Sequence, residues 1–151
     1  MPYPIAHALI PGFISSQTMK EKKYWLLAAI VGMLPDIDGV YILFNHPLYE
    51  LLHRVAFHSI LIGVLVSVLL TLLLQAKNNS ERLTIFIISL LAFCSHILAD
   101  LLFSNAGVAL LLPFSTTEFS LTLFQLYPPY IFDIIIVIIV WVLIAIKQFN
   151  K

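Results

Sequence analysis

The stretch "LTIFIISLLAFCSHILADLLF", residues 83–103, decides the fold class of this chain. A membrane-spanning helix needs roughly 20 consecutive, mostly apolar residues, and this stretch supplies them. Two ionisable side chains interrupt it, His96 and Asp100, whose spacing places them on one face of a helix. Inside a membrane such residues normally face the interior of a helical bundle and mark a functional site. The stretch therefore predicts a membrane protein that carries a polar site in its bundle.

The composition agrees with this prediction. Of 151 residues, 61% are hydrophobic and only 11% are charged, and the mean hydropathy is +1.01. Too few polar residues remain to cover a large water-soluble core, so we predict one domain over residues 1–151 with the lipid bilayer as its partner. The net charge is zero and no dense basic patch occurs, which argues against nucleic acid as a partner. Cys94, the single cysteine, is interpreted as a packing residue, and a removable signal peptide is not expected.

Further segments extend the bundle. Residues 58–75 and 131–147 also predict spanning helices, and residues 24–44 predict another that is broken by "LPDID". The first 19 residues contain several prolines and predict a short, kinked or re-entrant helix, whereas residues 104–130 stay apolar and predict a membrane-embedded loop or interfacial helix. The predicted fold class is an all-α integral membrane protein. It is a bundle of four to five transmembrane helices with a broken helix at PDID and a membrane-embedded loop.

The cations predict an orientation. Threading four spans places seven of them on one side: Lys20, Lys22, Lys23, Lys77, Arg82, Lys147 and Lys151. The positive-inside rule assigns that side to the cytoplasm. Counting helical rise places the ionisable residues of the separate helices ~20 to ~28 Å above these cations, in the outer half of a hydrocarbon core ~30 Å thick. Residues far apart in the chain are thus predicted to meet at one level, toward the non-cytoplasmic side.

Charge balance at that level predicts a metal ion. Arg54 is the only fixed positive charge in the sequence near four aspartates and four histidines: Asp36, Asp38, Asp100, Asp133, His7, His53, His58 and His96. Like charges ~4 Å apart repel by roughly 4 kcal/mol at an effective dielectric constant near 20, so either several carboxylates are protonated or a cation lies among them. Imidazoles beside carboxylates are ligands that Zn, Mn or Fe accept. We predict one or two divalent ions, Zn or Mn, with the ligands His7, Asp36, Asp38, His58, His96 and Asp100.

Each motif also has a plainer interpretation. His96 and Asp100 can form a hydrogen-bonded pair without metal, and the aspartates of PDID can cap a helix end. Arg54 can pair with an aspartate or clamp an anionic substrate, and His53 can take part in catalysis, support a ligand or stay solvated. Asp133 is interpreted as a cap of the last helix. The metal site is favoured because the motifs converge, with Arg54 and His53 as the candidate catalytic residues.

In order along the chain, His7, "LPDID", "HRVAFHS", "HILAD" and "GVALLLPF" resemble the YdjM-like family of inner-membrane proteins, described as LexA-regulated, metal-dependent hydrolases. The resemblance runs from residue 7 to about residue 114, and Val55 and Phe57 stand where the family typically has glycine and threonine. It implies a bacterial inner-membrane location. It also implies a functional set of His7, Asp36, Asp38, His53, Arg54, His58, His96 and Asp100.

These observations together predict a membrane-bound, metal-dependent hydrolase. A bound metal ion would supply a hydroxide nucleophile, and a site in the outer half of the bilayer favours an amphiphilic substrate such as a lipid or lipid-linked (phospho)ester. Two other classes stay open. One is a proton- or cation-coupled transporter, because Asp and His clusters and broken helices also occur in ion pathways. The other is a metal-binding membrane protein without turnover.

Overall fold

The computed structural model describes residues 4–44, 47, 49, 57–104, 107–121, 123 and 130–149. Its helices are α1 (Pro4–Thr18), α2 (Lys22–Met33), a 3-10 helix (Leu34–Leu43), α3 (Ile60–Leu73), α4 (Asn79–Phe103) and α5 (Tyr130–Phe149). Within these residues there is no strand, and the one β feature is an isolated antiparallel bridge between Val108 and Phe119. The predicted all-α class is therefore confirmed.

Polar side chains fix where α3 and α4 begin. The Ser59 hydroxyl accepts a hydrogen bond from the Ile62 N–H at 3.2 Å. Asn78 caps α4 in the same way, its side-chain oxygen accepting from the Glu81 N–H at 2.9 Å. Such caps satisfy N–H groups that have no partner within the first turn of a helix. The cap of α3 also fixes the backbone next to His58, a predicted metal ligand.

The chain changes helix type at the predicted break in PDID. The Leu34 N–H bonds to the carbonyl oxygen of Val31, three residues back, where the α-helical pattern would use the fourth. Pro35 follows, and proline has no N–H and clashes with the carbonyl four residues before it in an α-helix. Residues two apart project ~160° apart on an α-helix and ~120° apart on a 3-10 helix. Asp36 and Asp38 therefore point in different directions in either form.

Two glycines allow α1 and α2 to pack closely as antiparallel neighbours. A β-carbon at Gly32 would overlap the His7 carbonyl oxygen and lie 2.7 Å from the ring of Pro11. One at Gly12 would lie 3.1 Å from the β-carbon of Ala29. The two backbones therefore approach each other because glycine has no side chain at these positions.

The other helices take their directions from contacts at both ends. α4 runs parallel to α2, since His96 contacts Gly32 while Glu81, near the start of α4, pairs with Lys23 near the start of α2. α3 runs antiparallel to α4, because His58 precedes α3 and contacts His96 near the end of α4.

The last helix, α5, runs parallel to α1. The Ala6 N–H near the start of α1 donates to Asp133 Oδ1 in the first turn of α5, at 3.3 Å. Farther along both helices, Phe13 and Val140 line one cavity. The bundle therefore has two ends. We call them the site end, with His7, Asp36, His58, His96 and Asp100, and the lysine end, with Lys20, Lys22, Lys23, Lys77 and Arg82.

An apolar core that includes Val31, Ile88 and Phe93 lies beside a group of buried polar side chains. Many of the buried residues are polar or charged: His7, Asp38, His58, Ser59, Ser67, Ser89, His96, Asp100, Ser104 and Asp133. Large apolar side chains cover the outer faces instead, such as Leu26 (63% exposed), Leu72 (76%) and Trp141 (69%). Exposed apolar surface of this extent suits contact with lipid rather than water.

The structure supports fewer spans than the sequence predicts. Among the described residues, α4 is the one helix that is long and apolar enough to cross a membrane by itself. α3 and the Tyr130–Ile144 part of α5 are apolar but shorter. The four to five spans therefore stay a prediction.

The segment predicted as a membrane-embedded loop packs partly against the bundle. Val108 and Ala109 are buried, and the Leu110 carbonyl oxygen accepts a hydrogen bond from the Ile60 N–H at 3.0 Å. Leu111 and Phe114 are exposed, Phe114 to 84%. The loop is thus held beside the start of α3 while its apolar tip is uncovered, and its insertion into lipid stays a prediction.

Candidate metal centre

Five predicted ligands from four parts of the chain meet at the site end. α1 supplies His7, the 3-10 helix Asp36, the residues before α3 His58, and α4 both His96 and Asp100. His58, His96 and Asp100 have no exposed surface, and His7 is 1% exposed. The Asp36 side chain is 6% exposed. The cluster is therefore shielded almost completely from the surroundings.

A backbone carbonyl orients His96. Its Nδ1 lies 2.7 Å from the carbonyl oxygen of Gly32. Since a carbonyl oxygen only accepts, the proton must sit on Nδ1, which leaves the lone pair of Nε2 for the centre of the cluster. Metal-binding histidines usually have such a partner on the ring nitrogen that does not bind the metal. His96 is thus held in the tautomer that a metal ligand needs.

The two facing histidines lie close to both carboxylates. Nε2 of His96 lies 3.1 Å from Nε2 of His58, 3.5 Å from Asp36 Oδ1 and 3.4 Å from Asp100 Oδ2. Nε2 of His58 lies 3.7 Å from Asp36 Oδ1 and 3.4 Å from Asp100 Oδ2. Ligands placed tetrahedrally ~2.05 Å from a zinc ion would be separated by ~3.3 Å. The spacing of His58, His96 and Asp36, one of the two groups of potential ligands, is therefore close to that of ligands around one such ion.

His7 approaches the same cluster from the opposite side of Asp100. Its Nε2 lies 3.5 Å from Asp100 Oδ1, and its ring stacks on that of His96 with 3.7 Å between the centroids. His7, His96 and Asp100 form a second group whose ligand atoms lie within 4.8 Å of one another. Asp100 thus presents Oδ2 to His58 and His96 and Oδ1 to His7. This arrangement can serve a second ion or orient the Asp100 carboxylate through His7.

The cluster contains polar atoms that the described residues do not satisfy. Both side-chain oxygens of Asp36 and of Asp100, and both ring nitrogens of His7, are buried without a hydrogen-bond partner among those residues. Leaving a buried polar atom without a partner costs about 1–3 kcal/mol, and more for a charged group. A divalent cation would satisfy the carboxylate oxygens and separate the two facing Nε2 atoms. The buried His and Asp groups can therefore hold a metal ion.

The other predicted site residues have different placements. Asp38 is buried but belongs to neither group of potential ligands, since the 3-10 helix directs it away from Asp36. His53 and Arg54, the candidate catalytic residues, lie outside the described residues. Asp133 is buried and its Oδ1 accepts a hydrogen bond from the Ala6 N–H of α1, while its role as a cap of its own helix stays a prediction.

Two contributions to the site are missed by sequence reasoning. The Gly32 carbonyl that orients His96 is a backbone group, so residue type carries no direct sign of it. The only available signal is a glycine two residues before "LPDID", separated from it by Met33. The link from Asp133 to Ala6 joins residues at opposite ends of the chain, and no spacing rule connects them.

Comparison with known proteins places the chain in a family. No curated protein and no solved structure shows significant similarity to it. The model of the family described as YdjM inner membrane protein matches residues 5–150. The match includes the cluster and the last helix, α5, which the motifs resembling the family do not reach. Since it covers nearly the whole chain, the protein belongs to the YdjM family of inner membrane proteins.

Proposed function

We propose that this protein is a multi-pass, membrane-bound, metal-dependent hydrolase that acts on a lipid or lipid-linked (phospho)ester. The observation that carries the proposal is the position of two buried imidazole nitrogens, on His58 and His96, 3.1 Å from each other and 3.4–3.7 Å from Asp36 Oδ1 and Asp100 Oδ2. None of the four carboxylate oxygens accepts a hydrogen bond from a described residue, and their histidine contacts are ion pairs only if the rings are protonated, so a bound cation is the alternative that we favour.

The side chains of the cluster would have two roles, as ligands of the ion and as groups that orient a ligand. His58, His96, Asp36 and Asp100 would bind one divalent ion, for which the mixed nitrogen and oxygen set fits Zn or Mn. His7 would orient Asp100 or take part in binding a second ion. When bound, such an ion supplies a nucleophile near neutral pH by lowering the pKa of a water molecule to ~7. Hydrolysis then adds the elements of water across the ester bond.

The proposed membrane arrangement is supported by the alternating helix directions. With the lysine end at the cytoplasm by the positive-inside rule, the site end would face the non-cytoplasmic side. We propose that Arg54 binds the anionic group of the substrate and that His53 assists the reaction. An amphiphilic substrate would reach them from the surrounding leaflet.

Metal content is the first test. Detergent-purified protein should contain a stoichiometric transition metal by mass spectrometry. Asp36→Asn should lose it, while Asp38→Asn, the same change two residues away, should keep it because Asp38 lies in neither ligand group. Size-exclusion elution and helical circular dichroism show whether each variant is folded. Absence of metal from the folded wild-type protein would contradict the proposal and favour the transporter class.

Turnover is the second test. Protein with metal, chelator-treated protein and Asp36→Asn are compared for release of phosphate or fatty acid from a panel of phospholipids and polyprenyl phosphates. Activity should require the metal and be lost in Asp36→Asn. If the protein contains stoichiometric metal but releases neither product from any lipid of the panel, it is a metal-binding protein without hydrolase activity. Metal-dependent ion flux in proteoliposomes would instead identify a transporter.

Orientation has a separate test. In a Cys94→Ser background, a cysteine introduced at His46 should react with an impermeant thiol reagent added outside spheroplasts. A cysteine at Lys20 should react only after lysis. The opposite pattern would place the site at the cytoplasmic side.

A further inference from the structure

A large cavity lies away from the metal centre, between α1, α2 and α5. Its volume is about 620 Å³, within the range of small-molecule sites. The walls are mainly apolar and include Leu9 and Phe13 of α1, Leu26 of α2, and Val140 and Ile144 of α5. The volume is open toward the outside of the bundle, and water in it would have few polar partners.

The cavity exists because α5 is held firmly at only one end. At the site end, Asp133 accepts a hydrogen bond from Ala6, and the rings of Phe132 and Phe103 lie 4.1 Å apart. α5 otherwise packs mainly against α1. Toward the lysine end, Val140 and Ile144 face α1 and α2 across the open volume. The described parts of these helices leave this space unfilled.

The rim of the cavity at the lysine end is polar and basic. Ser16, Gln17 and Lys22 line it. Lys22 is exposed and has no acidic partner among the described residues, whereas the neighbouring Lys23 pairs with Glu21 and Glu81. Lys22 is therefore the cation free to meet an anionic ligand at the mouth of an apolar cavity.

The geometry points to an anionic phospholipid as the occupant, with one acyl chain between α1, α2 and α5 and its phosphate at Lys22. An apolar chain joined to an anionic head matches both parts of the cavity. One lysine near a membrane surface favours an anionic lipid over a neutral one by roughly fivefold. The lipid would complete the packing of α5 where the helix lacks protein neighbours. This site depends on the proposed multi-pass arrangement but not on the metal or on catalysis, so it can be tested independently.

Trp25 provides a direct measurement. Its indole lines the cavity and is held by a hydrogen bond from Nε1 to the Met19 carbonyl oxygen at 2.7 Å. The chain has one other tryptophan, Trp141, which is 69% exposed. In Trp141→Phe protein, reconstituted into phosphatidylcholine vesicles, fluorescence therefore reports on Trp25 alone. Brominated-chain phosphatidylglycerol should quench it with roughly fivefold higher apparent affinity than brominated-chain phosphatidylcholine.

Matched variants in the same background locate the lipid. Val140→Phe fills the cavity and should reduce quenching by phosphatidylglycerol, while Val137→Phe, the same change at an exposed position outside the lining, should not. Lys22→Gln should remove the preference for phosphatidylglycerol, while Lys20→Gln should leave it. Metal content in these variants should equal that of the wild-type protein. A negative result for the lipid site can therefore be distinguished from a negative result for the metal centre.

Several results would overturn the inference. Equal quenching by the two brominated lipids would exclude an anionic ligand. Equal effects of Val140→Phe and Val137→Phe would place the quenching lipid outside the cavity. Quenching that increases when the protein is diluted in lipid would identify a second copy of the chain as the occupant.

Discussion

At the site end, three imidazoles and two carboxylates are buried against one another, whereas at the lysine end charged side chains pair at the surface. Lys23 and Glu21 lie 3.1 Å apart there with side chains 47% and 61% exposed. Solvent screens such a pair, so its formation contributes little and its loss is tolerated. The buried cluster has no such screening, and its charges must be neutralised by protons or by a cation. The site end therefore requires its charges to be neutralised, whereas the lysine end tolerates the loss of an ion pair. We call the lysine end permissive for this reason.

The largest expected difference between the ends concerns metal. His96 belongs to both groups of potential ligands, so His96→Ala should lower metal affinity by more than ~100-fold, beyond what loss of a supporting residue costs. Ser95→Ala is the control, since the Ser95 hydroxyl bonds only to the Ala92 carbonyl oxygen within α4. Metal titration of both folded variants makes the comparison. Equal affinities in the two variants would remove His96 from the site.

Two glycine substitutions compare the packing of the ends. Gly32→Ala places a methyl group on the His7 carbonyl oxygen and should lower the free energy of unfolding by about 1–3 kcal/mol. At Gly12, nearer the lysine end, the added carbon meets the Ala29 β-carbon at 3.1 Å, which needs only a small shift. Alanine is favoured over glycine in a helix by up to ~1 kcal/mol, so Gly12→Ala should be near neutral. Unfolding in detergent measures both, and a Gly12→Ala loss as large as that of Gly32→Ala would contradict the difference in packing.

Asp133 tests how α5 supports the site end. Replacing a hydrogen-bonded carboxylate costs about 1 kcal/mol or somewhat more, so Asp133→Ala should destabilise the fold by that amount. Because Ala6 precedes His7, metal affinity should also fall, by less than ~10-fold. Asp133→Asn keeps an oxygen acceptor for the Ala6 N–H and should lose less of both. If the alanine and asparagine variants behave alike, the hydrogen bond to Ala6 does not support α1.

The smallest effect is expected at the lysine end itself. Lys23→Gln removes the exposed cation that pairs with the exposed Glu21 and with Glu81, whose side chain is 12% exposed. The thermal unfolding midpoint should change slightly at low salt and not at all at high salt, where screening already weakens the pair. A decrease as large as that of Gly32→Ala, at either salt concentration, would mean that the lysine end is not permissive.

The sequence predicts the helices and the position of the break because both depend on local rules. Apolar length and the missing N–H of Pro35 are both visible in the chain, but apolar length alone predicts a start at residue 83, whereas the Asn78 cap starts α4 at Asn79. Helical rise also brings His7, Asp36, His58, His96 and Asp100 to one level, which is how the motifs could be grouped. Depth in the membrane groups these five residues by level only and does not show whether their side chains face one another.

Side-chain direction is where sequence reasoning fails. Asp36 and Asp38 are equivalent in composition, but the 3-10 helix turns only Asp36 toward His58 and His96. The carbonyl of Gly32 and the bond from Ala6 to Asp133 depend on how whole helices pack. Local spacing contains no information on either, since both partners lie far apart in the chain.

The distribution of the ligands along the chain has a consequence for biosynthesis. The potential ligands His7, Asp36 and His58 leave the ribosome early, but His96 and Asp100 follow only when α4 is nearly complete. A nascent chain that ends before residue 96 lacks the residue common to both groups of ligands. An ion bound by these groups could therefore be acquired only after the helices from α1 to α4 have been made and brought together. Its uptake would follow the synthesis of α4 and would not need α5.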